Sequence, residues 1–469
     1  MHRVTAPLIP AVESSTPTPR VARWSRPAMA VAAAVALLGG CGGGGGDPGD
    51  PIVSLTCQPN SRKAALRDYF DDWYFWYAIS PRPDPWGGAS LDEYFKSLLF
   101  TGNATFPADR WSYYENTESF NRFYGDGQSL GYGVALAGVE VTGRPDLPLY
   151  VRHVEPQSPA GLAGVARGDQ VLALNGRPVG ELIAANDFGV LTADRSGQTL
   201  ALLLQGASGQ RTVTLAAAVY RLSPVPRSAV VNTPGGQPVG YLMVKDMITQ
   251  ALTPATEAFS RFRAAGVREL VVDLRYNGGG LVSVGRDLAS LVAGVRAVGA
   301  TYTSLLYNNR QAAQWNTSYS FTRPADALGL ARVYLLVGPR TCSASEQLAN
   351  GLRPYVDVVM VGDTTCGKPV GFLPKEDTCG TTYNVVNFES VNARNEGRYF
   401  DGLQPTCAVA EDWHQPLGAP AEPLLAAALA HADGQGCTGP AAGARTRPLA
   451  LQRERAQWSE GERPVMIPR

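Results

Sequence analysis

Between residues 269 and 368 the chain repeats one pattern three times, a short apolar run followed by a turn of glycine and small polar residues. Glu269-Leu270-Val271-Val272-Asp273-Leu274-Arg275 runs into Tyr276-Asn277-Gly278-Gly279-Gly280, and Val333 to Val337 into Gly338-Pro339-Arg340-Thr341-Cys342-Ser343-Ala344-Ser345-Glu346. Val356 to Val361 leads to Gly362-Asp363-Thr364-Thr365-Cys366-Gly367-Lys368. Runs apolar at consecutive positions predict strands covered on both faces, and the helical stretch from Leu281 to Val292 supplies one of the covers. From about Gly240 onward the chain is therefore predicted to be α/β. Adjacent parallel strands bring their C-terminal ends together, so residues on separate turns can meet.

Those turns carry the residues with chemistry. Ser343 and Glu346, before an apolar helix, have the spacing of a capping box. A serine oxygen at a helix N-terminus also gains from the helix dipole. Lysine occurs five times in 469 residues, so its place in the third turn, at Lys368, is informative. A desolvated lysine has a lowered pKa and can serve, neutral, as a base for serine. The turn after Asn277 leaves several backbone N–H groups at one point, which suits an anion.

Upstream of this region the character changes twice. From Cys57 to Arg122 the pattern is helical and aromatic, with Leu66, Tyr69, Phe70, Trp73 and Trp76 spaced as a core stripe. From Gly125 to about Tyr220, short alternating strands and glycine turns surround "SPAGLAGVARGDQVLALNGRPV", beginning at Ser158. This run resembles the centre of a PDZ domain, with Leu130-Gly131-Tyr132-Gly133-Val134 where a PDZ carries its carboxylate-binding loop. That resemblance implies that backbone N–H groups hold a chain-terminal carboxylate while the peptide adds a strand to the sheet edge.

Arg20, Arg23 and Arg26 precede an apolar run from Ala28 to Leu38, too short to span a bilayer, and Leu38-Gly39-Gly40-Cys41 follows. The stretch resembles a bacterial lipoprotein signal, which implies lipidation of Cys41. Gly42, with no aspartate there, resembles lipoproteins sorted to the outer membrane. The expected organisation is a leader over 1–40, a glycine-rich linker over 41–54 and a helical segment over 55–124. A PDZ domain over 125–220, a core over 221–437 and a polar tail over 438–469 complete it. A hydrophobic share of 45% excludes disorder as the dominant state, and a formal net charge of zero gives no basic surface for nucleic acid. Six cysteines follow Cys41, an even number that favours disulfides in an exported chain, with fifteen pairings open.

Taken together, "DLRYNGGG", "TCSASEQLANGL" and "VGDTTCGKPVGF" resemble the three motifs of the C-terminal processing (tail-specific) peptidases, family S41. The resemblance implies a crotonase-like (ClpP/crotonase) α/β core with an inserted PDZ domain and a serine endopeptidase activity without cofactor or metal. By position, Ser343 matches the nucleophile and Lys368 the general base. Gly278 or Gly279, with the N–H of Ala344, matches the oxyanion hole. Expected partners are proteins or peptides with free apolar C-termini, and the membrane through the lipid anchor. The family usually has glutamine four residues after the lysine, where this chain has Phe372. That departure keeps a second reading open, a peptide-binding lipoprotein with weak or no catalysis. Cys342 and Cys366 each lie within two residues of a catalytic candidate, so a bond between them would fix the pair. Cys379 with Cys407 is the other expected pairing.

Overall fold

The computed structural model describes residues 57–140, 144–437, 453–454 and 465–468. The leader, Cys41 and the linker lie outside the described residues. No helix among the described residues is long and apolar enough to cross a membrane.

A six-stranded sheet organises the C-terminal part, in the order Arg227–Asn232, Pro238–Met243, Glu269–Asp273, Arg332–Val337, Asp357–Gly362, Cys407–Ala408. The first pair is antiparallel and every later pair is parallel. Alternation within these apolar strands fills two cores. Leu242, Leu270, Val272, Val333, Leu335 and Met360 share a cluster with helices Leu252–Ala264, Val282–Ala293 and Ala344–Leu352. Tyr241, Met243, Val271, Tyr334, Leu336 and Val361 share another with helix Pro423–Ala432. Covering both faces is what the continuous apolar runs demanded. A four-stranded antiparallel sheet, Thr317–Ser320, Thr301–Tyr307, Val386–Val391, Val370–Phe372, stands beside this layer.

The N-terminal segment is less helical than its stripe predicts. Helix Pro59–Trp73 buries Leu66 and Phe70 and then stops. Trp76 is buried from the following turn, stacked on Phe100 with ring centroids 5.5 Å apart. Tyr113–Asn116 is a strand because Thr381–Asn384, far along the chain, supplies its antiparallel partner.

Between these parts, strands Val134–Glu140, Leu149–Val154, Gln170–Leu174, Thr199–Gly206 and Gly209–Ala216 form the PDZ-like sheet. It packs on Leu182 through Leu149, Val151, Val171, Leu200, Leu202 and Leu204. The chain enters and leaves this sheet through a ribbon, Gln128–Gly131 paired antiparallel with Ala218–Arg221.

Three disulfides are present: Cys57–Cys379, Cys342–Cys366 and Cys407–Cys437. The expected Cys379–Cys407 bond is not formed. Cys379 follows the edge strand Lys375–Glu376 and meets the N-terminal segment, whereas Cys407 opens the outermost strand of the large sheet and meets the end of the last helix region.

Candidate active site

The serine and lysine turns follow neighbouring parallel strands, Arg332–Val337 and Asp357–Gly362. Ser343 precedes helix Ala344–Leu352 with φ +60°, a backbone region that non-glycine residues rarely occupy and that costs about 1–3 kcal/mol. The capping box is present in outline: Glu346 sits at the third helical position and its carboxylate accepts the Ser343 N–H at 2.9 Å. The Ser343 Oγ itself makes no cap hydrogen bond and has no hydrogen-bond partner. A hydroxyl used for capping would be occupied, and this one is not.

Glu346 does more than cap. Its fully buried carboxylate also accepts the Gly367 N–H and the Lys368 N–H, both at 2.8 Å, and the Thr365 hydroxyl. One carboxylate thereby ties the serine turn to the lysine turn, and the Cys342–Cys366 bond ties them again, with a Cα separation of 5.2 Å. Burial pushes the Glu346 carboxyl above its ordinary value, while the hydrogen bonds from Thr365, Lys368, Gly367 and Ser343 pull it back down.

Lys368 is 0% exposed. Burial holds its amine well below the ordinary lysine value, against the opposing pull of the Asp109 and Glu346 carboxylates. Its Nζ lies 3.5 Å from the centroid of the Phe372 ring. Phe372 thus stands against the amine, as an apolar wall where a glutamine would hydrogen-bond.

The glycine turn is fixed from within. Asn277 Nδ2 donates to the Val244 carbonyl at 2.9 Å, and Asn277 Oδ1 accepts the Gly279 N–H at 2.8 Å. The Asn277 carbonyl accepts the Cys342 N–H and the Ser345 hydroxyl, each at 3.0 Å, which docks this turn on the serine turn. Of the two glycines named from sequence, Gly279 therefore has its N–H engaged, and Gly278 is the one whose N–H has no acceptor among the described residues. A Cβ at Gly279 would lie 2.9 Å from the Ala344 nitrogen, so only glycine fits beside that N–H.

The profile of peptidase family S41 matches residues 238–409, and a PDZ domain profile matches residues 150–216. The chain carries an S41 peptidase domain and a PDZ domain. A carboxyl-terminal-processing protease of Synechocystis sp. is 29% identical over 236 residues, 50% of this chain and 53% of that one. The chloroplastic carboxyl-terminal-processing peptidase 1 of Arabidopsis thaliana is 30% identical over 246 residues, 51% of this chain and 47% of its own length. The chain thus spans about half the length of these relatives. Among solved structures, an S41 protease candidate from Bacteroides fragilis superposes with a TM-score of 0.62 at 25% identity, over 79% of this chain and 97% of that one.

The PDZ turn differs from its expected extent. Leu130 and Gly131 belong to the entry ribbon, paired with Val219 and Ala218, and Val134 begins the next strand. The turn proper is Tyr132-Gly133. Gly133 has φ +71°, and a Cβ there would fall 2.0 Å from that of Ser158. Strand Val134–Glu140, which leaves this turn, pairs with Leu149–Val154 on one side and, at Val139 and Glu140, with the two-residue strand Arg453–Glu454 on the other.

Two contributors to the S41 site have no motif of their own. Asp109, whose carboxylate acts on Lys368, is held by the Tyr74 hydroxyl at 2.7 Å and the Ser112 hydroxyl at 2.6 Å. Arg110 donates to the Cys366 carbonyl at 3.3 Å. Both come from the N-terminal segment, and a charged pair inside an aromatic stretch was the available signal. The PDZ domain reaches the glycine turn through Arg167, which donates to the Tyr276 hydroxyl at 2.6 Å and to Glu411 at 2.9 Å. Groups of metal-ligating type occur at Cys342, Glu346, Cys366 and at Cys407, His431, Cys437, but each includes a disulfide whose sulfurs are already bonded.

Proposed function

We propose that this chain is a serine endopeptidase of the bacterial envelope, lipid-anchored at Cys41, with Ser343 as nucleophile and Lys368 as general base. The buried, desolvated amine of Lys368 on the turn tied to an unpartnered serine hydroxyl carries the reading. A neutral lysine can take the Ser343 proton as Oγ attacks a peptide carbonyl. The N–H groups of Gly278 and Ala344 then bind the oxyanion, each such donor contributing about 3 kcal/mol. The protonated lysine returns its proton to the departing amine, leaving an ester on Ser343. Water, deprotonated by the same lysine, hydrolyses that ester and restores the serine.

Substrates are proteins or peptides with free apolar C-termini, selected by the Tyr132-Gly133 turn and its outer strand, where a peptide can add to the sheet. A fluorophosphonate probe tests the chemistry, since it should label Ser343 and fail on Ser343→Ala. Ser343→Ala and Lys368→Ala should each abolish turnover, and the double variant should be no worse than either single, because the pair acts as a unit. A peptide-binding protein without catalysis is the second reading, favoured by Phe372 alone. It predicts no labelling of wild type and peptide affinity unaffected by either substitution.

A further inference from the structure

The 438–469 tail reads as polar from its sequence, yet Val465, Met466 and Ile467 are buried at 0, 0 and 1% exposure. They form a strand parallel to Gly279–Leu281, with Val465 opposite Gly279 and Met466 opposite Gly280. The Val465 N–H donates to the Gly278 carbonyl at 3.0 Å. On the tail's other side is strand Val370–Phe372, which follows Lys368: a Cβ at Gly371 would fall 2.7 Å from the Met466 carbonyl oxygen. A Cβ at Gly279 would fall 2.2 Å from the Val465 oxygen. Two glycines, one on the oxyanion turn and one just past the lysine, thus leave a slot the width of a peptide backbone. Gln347, on the helix that Ser343 starts, places its Nε2 3.3 Å from the Met466 sulfur.

We propose that Val465-Met466-Ile467 is a substrate-like occupant of the S41 cleft, supplied in cis, that keeps Ser343 from other peptides until the tail leaves. The proposal rests on the peptidase reading given above. Ser343 and Lys368 are both 0% exposed with the tail in place, so no protein substrate reaches them in this state. The pairing is that of an extended peptide added to a strand edge, with its apolar side chains seated in the same cluster as Leu281, Val370 and Phe372. Pro464 and Pro468 flank the strand in sequence and lack the N–H that would lengthen the ladder. A short ladder suits an occupant that leaves. The same tail also contacts the recognition domain, since Arg453–Glu454 pairs antiparallel with the outer PDZ strand Val134–Glu140. One segment therefore follows both surfaces that a peptide substrate would use.

The test is made in the full chain with the double substitution Val465→Asp, Met466→Asp, which puts charge where the slot is apolar. An occupant present in nine molecules of ten masks activity about tenfold, so the variant should gain about tenfold or more in fluorophosphonate labelling and in hydrolysis of a fluorogenic apolar peptide. Its melting temperature should stay near that of wild type. A synthetic Pro-Val-Met-Ile-Pro peptide, blocked at both ends, should inhibit the variant competitively. Unchanged labelling and hydrolysis in a folded variant would overturn the proposal. So would a variant that melts well below wild type and loses labelling, because the strand would then be a structural part of the fold. If neither protein reacts with any probe, the peptidase reading fails separately, and occupancy is decided by binding alone. A fluorescent version of the same peptide should bind the double variant more tightly than wild type when both carry Ser343→Ala, and equal binding or none refutes the occupant.

Discussion

The Ser343–Lys368 corner and the PDZ turn are built in opposite ways. At the corner almost every backbone group has a partner: Glu346 alone accepts four donors, Asn277 closes its own turn, and a disulfide joins the two loops. Among the described residues the Ser343 hydroxyl and the Gly278 N–H are left without partners. The PDZ turn has the reverse economy. Tyr132-Gly133 stands on a ribbon of four residue pairs, and its two carbonyls accept the Ala160 and Glu155 N–H groups, so a peptide there would have to use the turn's N–H groups. A site that must stabilise a transition state requires fixed geometry before substrate arrives. A site that must accept many chain ends requires unsatisfied donors and a strand edge left open next to them.

Breaking the corner should cost far more than disturbing the turn. Glu346→Ala strands three backbone N–H groups and a threonine hydroxyl at about 1–3 kcal/mol per buried donor. We expect a stability loss of several kcal/mol in urea titration and loss of measurable turnover. Retention of wild-type turnover would show that the corner holds its shape without this carboxylate.

Removing the staple is the next largest effect. With Cys342→Ala and Cys366→Ala together, loss of a closure over a separation of 24 residues should cost about 3 kcal/mol by chain entropy. Turnover should fall more steeply than stability alone explains, checked by comparing kcat at a temperature where both proteins are fully folded.

The third prediction sharpens the role of Phe372. Because burial lowers the Lys368 value, the neutral and active fraction grows as pH rises, so kcat/KM should climb with pH and level off well below the ordinary lysine range. Phe372→Gln replaces the apolar wall with a hydrogen-bonding group and admits water. The midpoint should then move up by about one pH unit, equivalent to about 1.4 kcal/mol. An unmoved midpoint with raised turnover would instead mean that the missing amide had been limiting.

The smallest effect concerns the PDZ turn. Amidating the C-terminus of a test peptide replaces a charged acceptor with a neutral one, which should weaken binding by about 1 kcal/mol, or several-fold. Equal affinity for acid and amide, measured by fluorescence anisotropy, would remove chain-end recognition from this turn while leaving the corner untouched.

Much of the site was legible because it depends on local pattern. The strand ends, Ser343 before its helix and Lys368 in its turn all follow from residue type and the adjacency of parallel strands, whereas the Cys342–Cys366 bond was one of fifteen open pairings. The extent of the PDZ turn was not, because Leu130 and Gly131 look like loop residues until Ala218 and Val219 pair with them. Nor was the engagement of the Gly279 N–H, which depends on the rotamer of Asn277.

The sequence by itself determined the three buried strands between residues 269 and 361 and which side chains on their turns can do acid–base or nucleophilic chemistry. Those properties are set by periodicity and by covalent structure within a few residues. Tertiary structure alone decided that Asp109 acts on Lys368, that Cys379 bonds to Cys57, and that Val465–Ile467 pairs with Gly279–Leu281. Each is a contact between residues more than about a hundred positions apart. Such contacts are chosen by the summed packing of whole layers, so no local pattern encodes them.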